Sequence, residues 1–301
     1  MSKHLVVCDL GSIETRGTYW CAGDPALDEV FGKGLDAYVH FAQYLYGKTY
    51  AELDPKIKGL SEDEKEDRKN KRQLAKPAVL GCGYGLGGGD WGVDKNGDDI
   101  KTGLFGYSEN MGVPLEKEFS HECVQKYRKA YPFVPRAWRS LENAAIQAVQ
   151  TGRQFEACRM VFGCVKPGKL LYIILPSGRR LHYVRPRIET TERWDGEFSS
   201  KLKYENQIGH GFWGHTWTWG GKIMENVVQA LSRDLLRDAM LRAQAEGFSI
   251  VGHSHDEIIC EEEVGSRQNV ELLRECMLAR PSWAQDLPLD AEGWEGRRYH
   301  K

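Results

Sequence analysis

Short apolar runs bounded by polar turns divide this chain into strands, and longer runs at three-to-four spacing mark its helices. His4, Leu5, Val6, Val7 and Cys8 form one strand, which ends in Asp9. Residues 248–263 (FSIVGHSHDEIICEEE) read as strand, tight turn, strand. Phe248, Ile250 and Val251 lie before the polar tip His253-Ser254-His255-Asp256-Glu257, and Ile258 and Ile259 after it. Residues 170–175 and 180–183 flank Pro176-Ser177-Gly178-Arg179 and predict a second hairpin with a basic tip. Helical spacing fills residues 36–46, stopped by Gly47, and residues 114–151, broken at Tyr131-Pro132. A long helix is predicted over residues 222–247, with Met224, Val227, Val228, Leu231 and Leu235 inward. Gln229, Arg233 and Asn226 point elsewhere. A shorter helix follows from about residue 267 to 278. After Asp9, residues 12–21 predict a strand end turning into a helix closed by Gly23-Asp24-Pro25.

Residues 56–72 are a dense mixed-charge run, expected as a solvated helix or loop. Its end carries more. Arg72, Lys76, Leu80 and Tyr84 are each four apart and form one stripe on a helix, with two cations at the spacing of adjacent phosphates. Pro77 is expected to bend that helix, and Gly81, Gly83 and Gly85 to unwind it.

The 301 residues have room for one large domain or two modest ones, and the apolar and charged contents, 41% and 28%, are those of a globular protein. The net charge of -2 does not advertise a nucleic-acid binder, so DNA contact would need local basic patches or a partner. Arg179, Arg180, Arg185 and Arg187 are the clearest such patch. Eight scattered cysteines without a CxxC pair read as reduced thiols of an intracellular protein. No apolar run is long enough for a signal peptide or a membrane span, which makes the cytoplasm the expected location.

Residues 83–88 spell GxGxxG, yet they follow a charged helix-like segment and run into Asp90-Trp91-Gly92, the wrong context for dinucleotide binding. No P-loop is present. Residues 210–222 (HGFWGHTWTWGGK) interleave aromatic and basic side chains. His210 and His215 make a poor metal pair, and most of these tryptophans are expected in the core. Two strands that each deliver an aspartate, Asp9 and Asp256, suggest carboxylates converging on one hard cation.

Three motifs, in order, resemble those of the DNA polymerase I-like family, family A, and closest its bacteriophage members. Asp9-Leu10-Gly11-Ser12-Ile13-Glu14-Thr15-Arg16 resembles motif A, Arg72-x3-Lys76-x7-Tyr84-Gly85 motif B, and His255-Asp256-Glu257 motif C. LPSGRR, GGKIMENVVQALSRD and LPLDAEGWEGRRY are similar to further segments of the phage branch. The resemblance implies an α+β fold, a right-hand polymerase palm with an antiparallel sheet and inserted helical fingers. The boundaries it implies are palm over residues 1–27 and 168–301 and fingers over 28–167. It implies a template-directed DNA polymerase that uses primer–template DNA, dNTPs and two Mg²⁺ ions, or Mn²⁺ in their place. Asp9, Asp256 and the Leu10 carbonyl become the metal ligands. Arg72 and Lys76 clamp the triphosphate, and Lys76 also serves as proton donor to the leaving group. Glu14 becomes a steric gate against a 2′-hydroxyl, braced by Tyr84, and Leu80 stands where many relatives have Phe or Tyr against the base. Leu10 replaces the usual motif A tyrosine. His255, Glu257, Gln229, Arg179 and Arg180 are the implied DNA contacts.

Because Asp9 already lies in motif A, eight residues are too few for a thumb. The expectation is a split enzyme, with a separate chain supplying the thumb, an exonuclease and strands that complete a palm sheet otherwise left with an unprotected edge. A single-subunit RNA polymerase-like enzyme and a non-catalytic DNA-binding subunit stay open as alternatives, with phage- or prophage-encoded action in the bacterial cytoplasm common to all.

Overall fold

The structure, a computed structural model, describes residues 3–94, 96–192, 198–209 and 211–300. Along the chain, β1 (Lys3–Leu10) leads into α1 (Ile13–Ala22), a π-helical turn at Leu27–Phe31, α2 (Ala37–Tyr46), α3 (Tyr50–Leu53) and α4 (Glu62–Cys82). A small hairpin, β2 (Trp91–Val93) and β3 (Asp99–Lys101), precedes α5 (Gly103–Asn110), α6 (Lys117–Ala130) and α7 (Phe133–Thr151). Then come β4 (Phe155–Ala157), β5 (Met160–Val165), β6 (Leu170–Ile174), β7 (Arg180–Glu192), β8 (Phe198–Gln207) and β9 (Trp213–Thr218). The chain continues through α8 (Gly220–Ala245), β10 (Ile250–Ser254), β11 (Glu257–Glu263), α9 (Val270–Leu278) and β12 (Ala291–Gly296). This is an α+β fold with two main antiparallel sheets.

The chain forms two compact units. The first comprises residues 1–17, 175–179 and 226–301. Its sheet has four strands in the order β10-β11-β1-β12. β1 is paired on both sides, with β11 from Lys3↔Glu263 to Asp9↔Glu257, and with β12 from Leu5↔Gly296 to Leu10↔Ala291. Among the described residues the open edges therefore fall at β10 and β12, not at the strand that carries Asp9. The core is apolar from both sides: Val6, Val7, Cys8 and Leu10 on β1, Ile258 and Cys260 on β11, and Val227, Val228, Leu231, Leu235 and Leu236 on α8 are all buried. Each of the buried Val, Leu and Ile side chains stabilises the fold by about 1.5–3 kcal/mol. A Cβ at Gly17 would stand 3.0 Å from Val228 Cγ1, so glycine lets α1 approach α8 closely. Between Ile250 and Gly252 the β10–β11 register shifts, and Val251 is left 60% exposed at the bulge. The β6–β7 turn docks on α8 through its side chains: Ser177 Oγ and Arg179 Nε reach Asp234 at 2.5 and 2.7 Å, and Arg179 Nη2 donates to the Ala230 carbonyl at 2.6 Å. Asp234 is 2% exposed, so its charge has to be paired by these donors.

The second unit comprises residues 18–174 and 180–225. Asp36 caps α2, accepting from the backbone N–H groups of Tyr38 and Val39 at 2.8 and 3.1 Å. Ser61 and Glu64 form a reciprocal capping box that starts α4. α4 continues through Pro77 for 21 residues, so the mixed-charge run and the cationic stripe belong to one helix. α6 and α7 break at Tyr131-Pro132 as the spacing predicts, because proline ends the first helix and opens the second. Tyr19, Tyr127 and Tyr131 pack in a buried cluster, with ring centroids 4.9 Å apart for Tyr131 with either partner. The six-stranded sheet runs β4-β5-β6-β7-β8-β9 in chain order. The GxGxxG stretch follows α4 and leads to β2, so it has neither the preceding strand nor the following helix that dinucleotide binding needs.

Candidate active site

In the first unit, pairing between β1 and β11 draws the two candidate aspartates together. Asp9 stands opposite Glu257 in the ladder, on the same face of the sheet. One step on, the Leu10 N–H donates to the Asp256 carbonyl at 3.2 Å. Both chains turn just beyond this link, and each turn holds a non-glycine residue in the left-handed region: Ser12 at φ 52° and His255 at φ 51°. Such backbone costs about 1 kcal/mol or more and collects at functional sites. Asp256 lines a cavity of about 350 Å³ with His255, Glu14, Ile13, Gln229, Ser232 and Arg233. Within it Gln229 Nε2 donates to Glu14 Oε1 at 2.8 Å, tying the first turn of α1 to α8. Glu257 is buried and accepts from the Tyr299 hydroxyl at 2.8 Å. That hydrogen bond, together with the nearby charges of Glu257 and Asp9, raises the Tyr299 pKa. Beneath Asp9, burial pushes the Cys8 thiol up to about 12, with the Asp9 charge adding to it, so Cys8 stays a neutral packing group.

In the second unit, α4 carries Arg72, Lys76 and Leu80 on one stripe, each half-buried. The stripe does not continue as helix to Tyr84. α4 ends at Cys82, and the Tyr84 N–H closes a turn on the Gly81 carbonyl at 3.2 Å. Trp138 Nε1 donates to the Gly83 carbonyl at 2.9 Å and steadies this turn. A Cβ on Gly221 would meet the Tyr84 carbonyl oxygen at 2.2 Å, so the GGK sequence answers a backbone approach. Arg72 is engaged: Nε and Nη2 both lie 2.8 Å from Asp36 Oδ2, and the guanidinium stands 5.0 Å over the Tyr38 ring.

The candidate basic patch divides: Arg185 and Arg187 stay on the β7–β8 pair, while Arg179 and Arg180 turn elsewhere. Arg179 turns onto Asp234 in the first unit, and Arg180 lies over the Tyr172 ring at 5.1 Å in the second. Arg185 pairs with Glu205 at 2.6 Å.

The chain is similar to known proteins. The chain is 33% identical over 296 residues to a DNA polymerase of Bacillus phage SP02, covering 98% of this chain and 41% of that protein. It superposes on the POL domain of Pol1 from M. smegmatis, solved in complex with DNA primer-template and dNTP. That match has a TM-score of 0.57 and 18% identity over 98% of this chain and 39% of that one. No protein-family model matches. The chain is a family A DNA-polymerase-like domain. Its α+β architecture, mixed antiparallel sheets flanked by helices, is that of a polymerase palm and fingers. No helix of this domain among the described residues is long and apolar enough to cross a membrane.

Two side chains within the quoted motifs hold the site's backbone in ways that the motifs alone do not reveal. Arg16 is only 7% exposed; Nε donates to the Gly11 carbonyl at 2.7 Å, Nη1 to the Pro288 carbonyl at 3.0 Å, and Nη2 lies 3.8 Å from Asp290. It bolts the turn after Asp9 to the segment that leads into β12. Tyr299 plays the same part for Glu257. The sequence around Arg16 gives no hint of this, since the Pro288 carbonyl and Asp290 lie far along the chain. The tryptophans of residues 210–222 also depart from expectation. Trp213, Trp217 and Trp219 are 63%, 41% and 50% exposed, not core. His210 lies outside the described residues.

Proposed function

We propose that this chain carries the nucleotidyl-transfer site of a template-directed DNA polymerase, with primer–template DNA and dNTPs as ligands. One observation carries the reading: the β1–β11 ladder and the Leu10–Asp256 hydrogen bond bring the backbones of Asp9 and Asp256 to neighbouring positions, and Asp256 lines the same cavity as the Glu14–Gln229 pair. The donor set suits Mg²⁺. Two carboxylates are hard oxygen ligands; among the described residues there is no group of three or more His, Cys, Asp or Glu able to hold a metal by themselves. The Leu10 carbonyl, water and substrate phosphates would complete the shell, as is usual for this ion. Bound there, divalent ions would lower the pKa of the primer hydroxyl and neutralise charge on the triphosphate. Asp9 and Asp256 would supply the fixed negative charge to hold them. Arg72 and Lys76 are the proposed source of positive charge for the triphosphate, and Lys76 the proposed proton donor to the leaving pyrophosphate. Arg72 has to leave Asp36 to do so. Glu14, held by Gln229, presents its carboxylate to the sugar, and His255, Glu257, Arg179 and Arg180 remain the proposed DNA contacts. Primer extension by the purified chain with Mg²⁺, comparing dNTPs with rNTPs, tests the reading. Absence of incorporation at enzyme in excess over primer, with DNA binding intact, would exclude it.

Two milder predictions follow from the same geometry. Gln229→Ala removes the hydrogen bond that orients Glu14, worth about 1.5–3 kcal/mol for a charged acceptor. Discrimination between dNTP and rNTP should fall by about tenfold; an unchanged ratio would mean that Glu14 is oriented by other contacts. Leu80→Phe places a ring on the half-buried stripe of α4, and base–aromatic stacking is typically worth about 1–3 kcal/mol. Faster single-turnover incorporation is expected, and an unaltered rate would show that Leu80 does not meet the base.

A further inference from the structure

The outer face of the β7–β8–β9 sheet has a composition that the site above does not use. In antiparallel ladders opposite residues share a face, so register assigns them: Trp217↔Lys203, His215↔Glu205 and Trp213↔Gln207, with Lys203↔Arg187 and Lys201↔Glu189 on the other side of β8. The opposite face is the packed one, with Leu202 and Thr218 buried and Tyr183 set edge-on against Tyr204 at 4.9 Å. The outer face is open: Trp213 is 63% and Trp217 41% exposed, and Phe212, beside them at the start of β9, is 74% exposed. β9 is also the last strand of its sheet among the described residues. Exposed aromatics in a row on an edge strand are an aggregation liability, which proteins tolerate where a ligand covers them.

The charges beside the rings say what that ligand is. Lys203 Nζ stands 3.8 Å and Lys201 Nζ 5.8 Å from the Trp217 ring centroid. Arg185 and Arg187 extend the cationic side, and Glu189 and Glu205 neutralise only part of it, pairing with Lys203 at 2.8 Å and Arg185 at 2.6 Å. Among the described side chains of this face, cations outnumber carboxylates although the whole chain carries a net charge of -2. Alternate residues on a strand stand about 7 Å apart. Trp213, His215 and Trp217 therefore make a ladder of rings at a spacing that an extended polynucleotide, with one base per backbone unit, can follow. A protein partner for an apolar strand would not call for lysines set against the indoles. Rings for bases flanked by cations for phosphates are the two components of sequence-tolerant single-strand binding.

We propose that this sheet face is a second nucleic-acid site, which binds single-stranded DNA by stacking on Trp213 and Trp217. The choice of DNA over RNA rests on the polymerase reading; the site itself needs none of the residues assigned to catalysis. Its test is therefore run without dNTPs and with a chelator present. Binding of a labelled oligo(dT) of about 12 nucleotides, within the usual single-strand site size, is followed by anisotropy across a salt series. Trp213→Ala with Trp217→Ala should weaken binding by about tenfold or more. Lys201→Gln, at an exposed position, should lower the slope of log affinity against log salt by about 0.7. A 5-iodouracil oligonucleotide should photo-crosslink to Trp213 or Trp217. Affinity for a duplex of the same length should not depend on the tryptophans. Unchanged oligo(dT) affinity in the tryptophan variant, crosslinks confined to other residues, or tighter binding of oligo(rU) would each overturn the proposal. So would a chain that self-associates through this face, seen as a dimer in sedimentation that the tryptophan substitutions dissolve. Loss of primer extension in Asp256→Asn with oligo(dT) binding intact keeps the two readings separate.

Discussion

Asp256→Asn is expected to abolish nucleotide incorporation in single-turnover primer extension, and Asp9→Asn to do the same. Each change replaces a carboxylate with an amide of the same shape and removes one full negative charge from the proposed metal-binding pair. Losing a single preorganised electrostatic contact already costs about 10²–10³ in rate, and a metal ligand should cost at least as much. Stability should move the other way or stay put. Asp9, Asp256 and the buried Glu257 crowd acidic groups at neighbouring strand ends. The backbone link from the Leu10 N–H to the Asp256 carbonyl does not depend on the side chain. Relief of like-charge repulsion should leave the thermal midpoint unchanged or slightly raised, the pattern of a site whose charges serve function at the expense of the fold. Extension within a few fold of the parent chain, at equal Mg²⁺, would sink the two-aspartate assignment. A collapse in thermal midpoint would instead make these residues structural.

Both aspartates were legible in the sequence because each ends a short apolar strand, and the tip His255-Asp256 can only be a turn. The long helix α8 was equally legible, since its inward positions repeat without interruption and Gly247 stops it. What stayed hidden depends on partners distant in the chain. β12 has the sequence AEGWEG, with two glycines and two glutamates. Nothing local marks it as a strand; it is one because β1 offers a second edge, which it covers. β8 and β9 were missed for a related reason. Their outer face is lysine, glutamate, tryptophan and histidine, so the alternation that signals a half-buried strand is blurred by aromatic residues on the wet side. Core placement of those tryptophans followed from the usual burial of the residue type, and the structure overrides it. The cationic stripe on α4 was legible as a stripe, but its partner was not: Asp36 precedes α2, and the local pattern identifies it only as a cap.

Glu14→Ala should admit ribonucleotides. Glu14 sits in the first turn of α1, half-buried, with its carboxylate in the cavity that Asp256 also lines. The Gln229 amide holds it at 2.8 Å, and Gln229 itself is carried on α8, whose buried side cannot shift without moving the core. A carboxylate held this rigidly can exclude a hydroxyl by volume, and a flexible one could not. Removing it opens that volume and leaves the Gln229 amide able to donate to a 2′-oxygen. The preference for dNTP over rNTP should therefore fall by on the order of a hundredfold, the usual scale on which a pocket can reject one added hydroxyl. The dNTP rate should fall as well, by less, because an oriented hydrogen-bond acceptor beside the sugar is lost. Glu14→Gln separates the two effects. It keeps the volume, so discrimination should persist, while the lost charge lowers the rate for both sugars alike. If Glu14→Ala and Glu14→Gln discriminate equally well, the side chain does not face the sugar and its bond to Gln229 only ties α1 to α8.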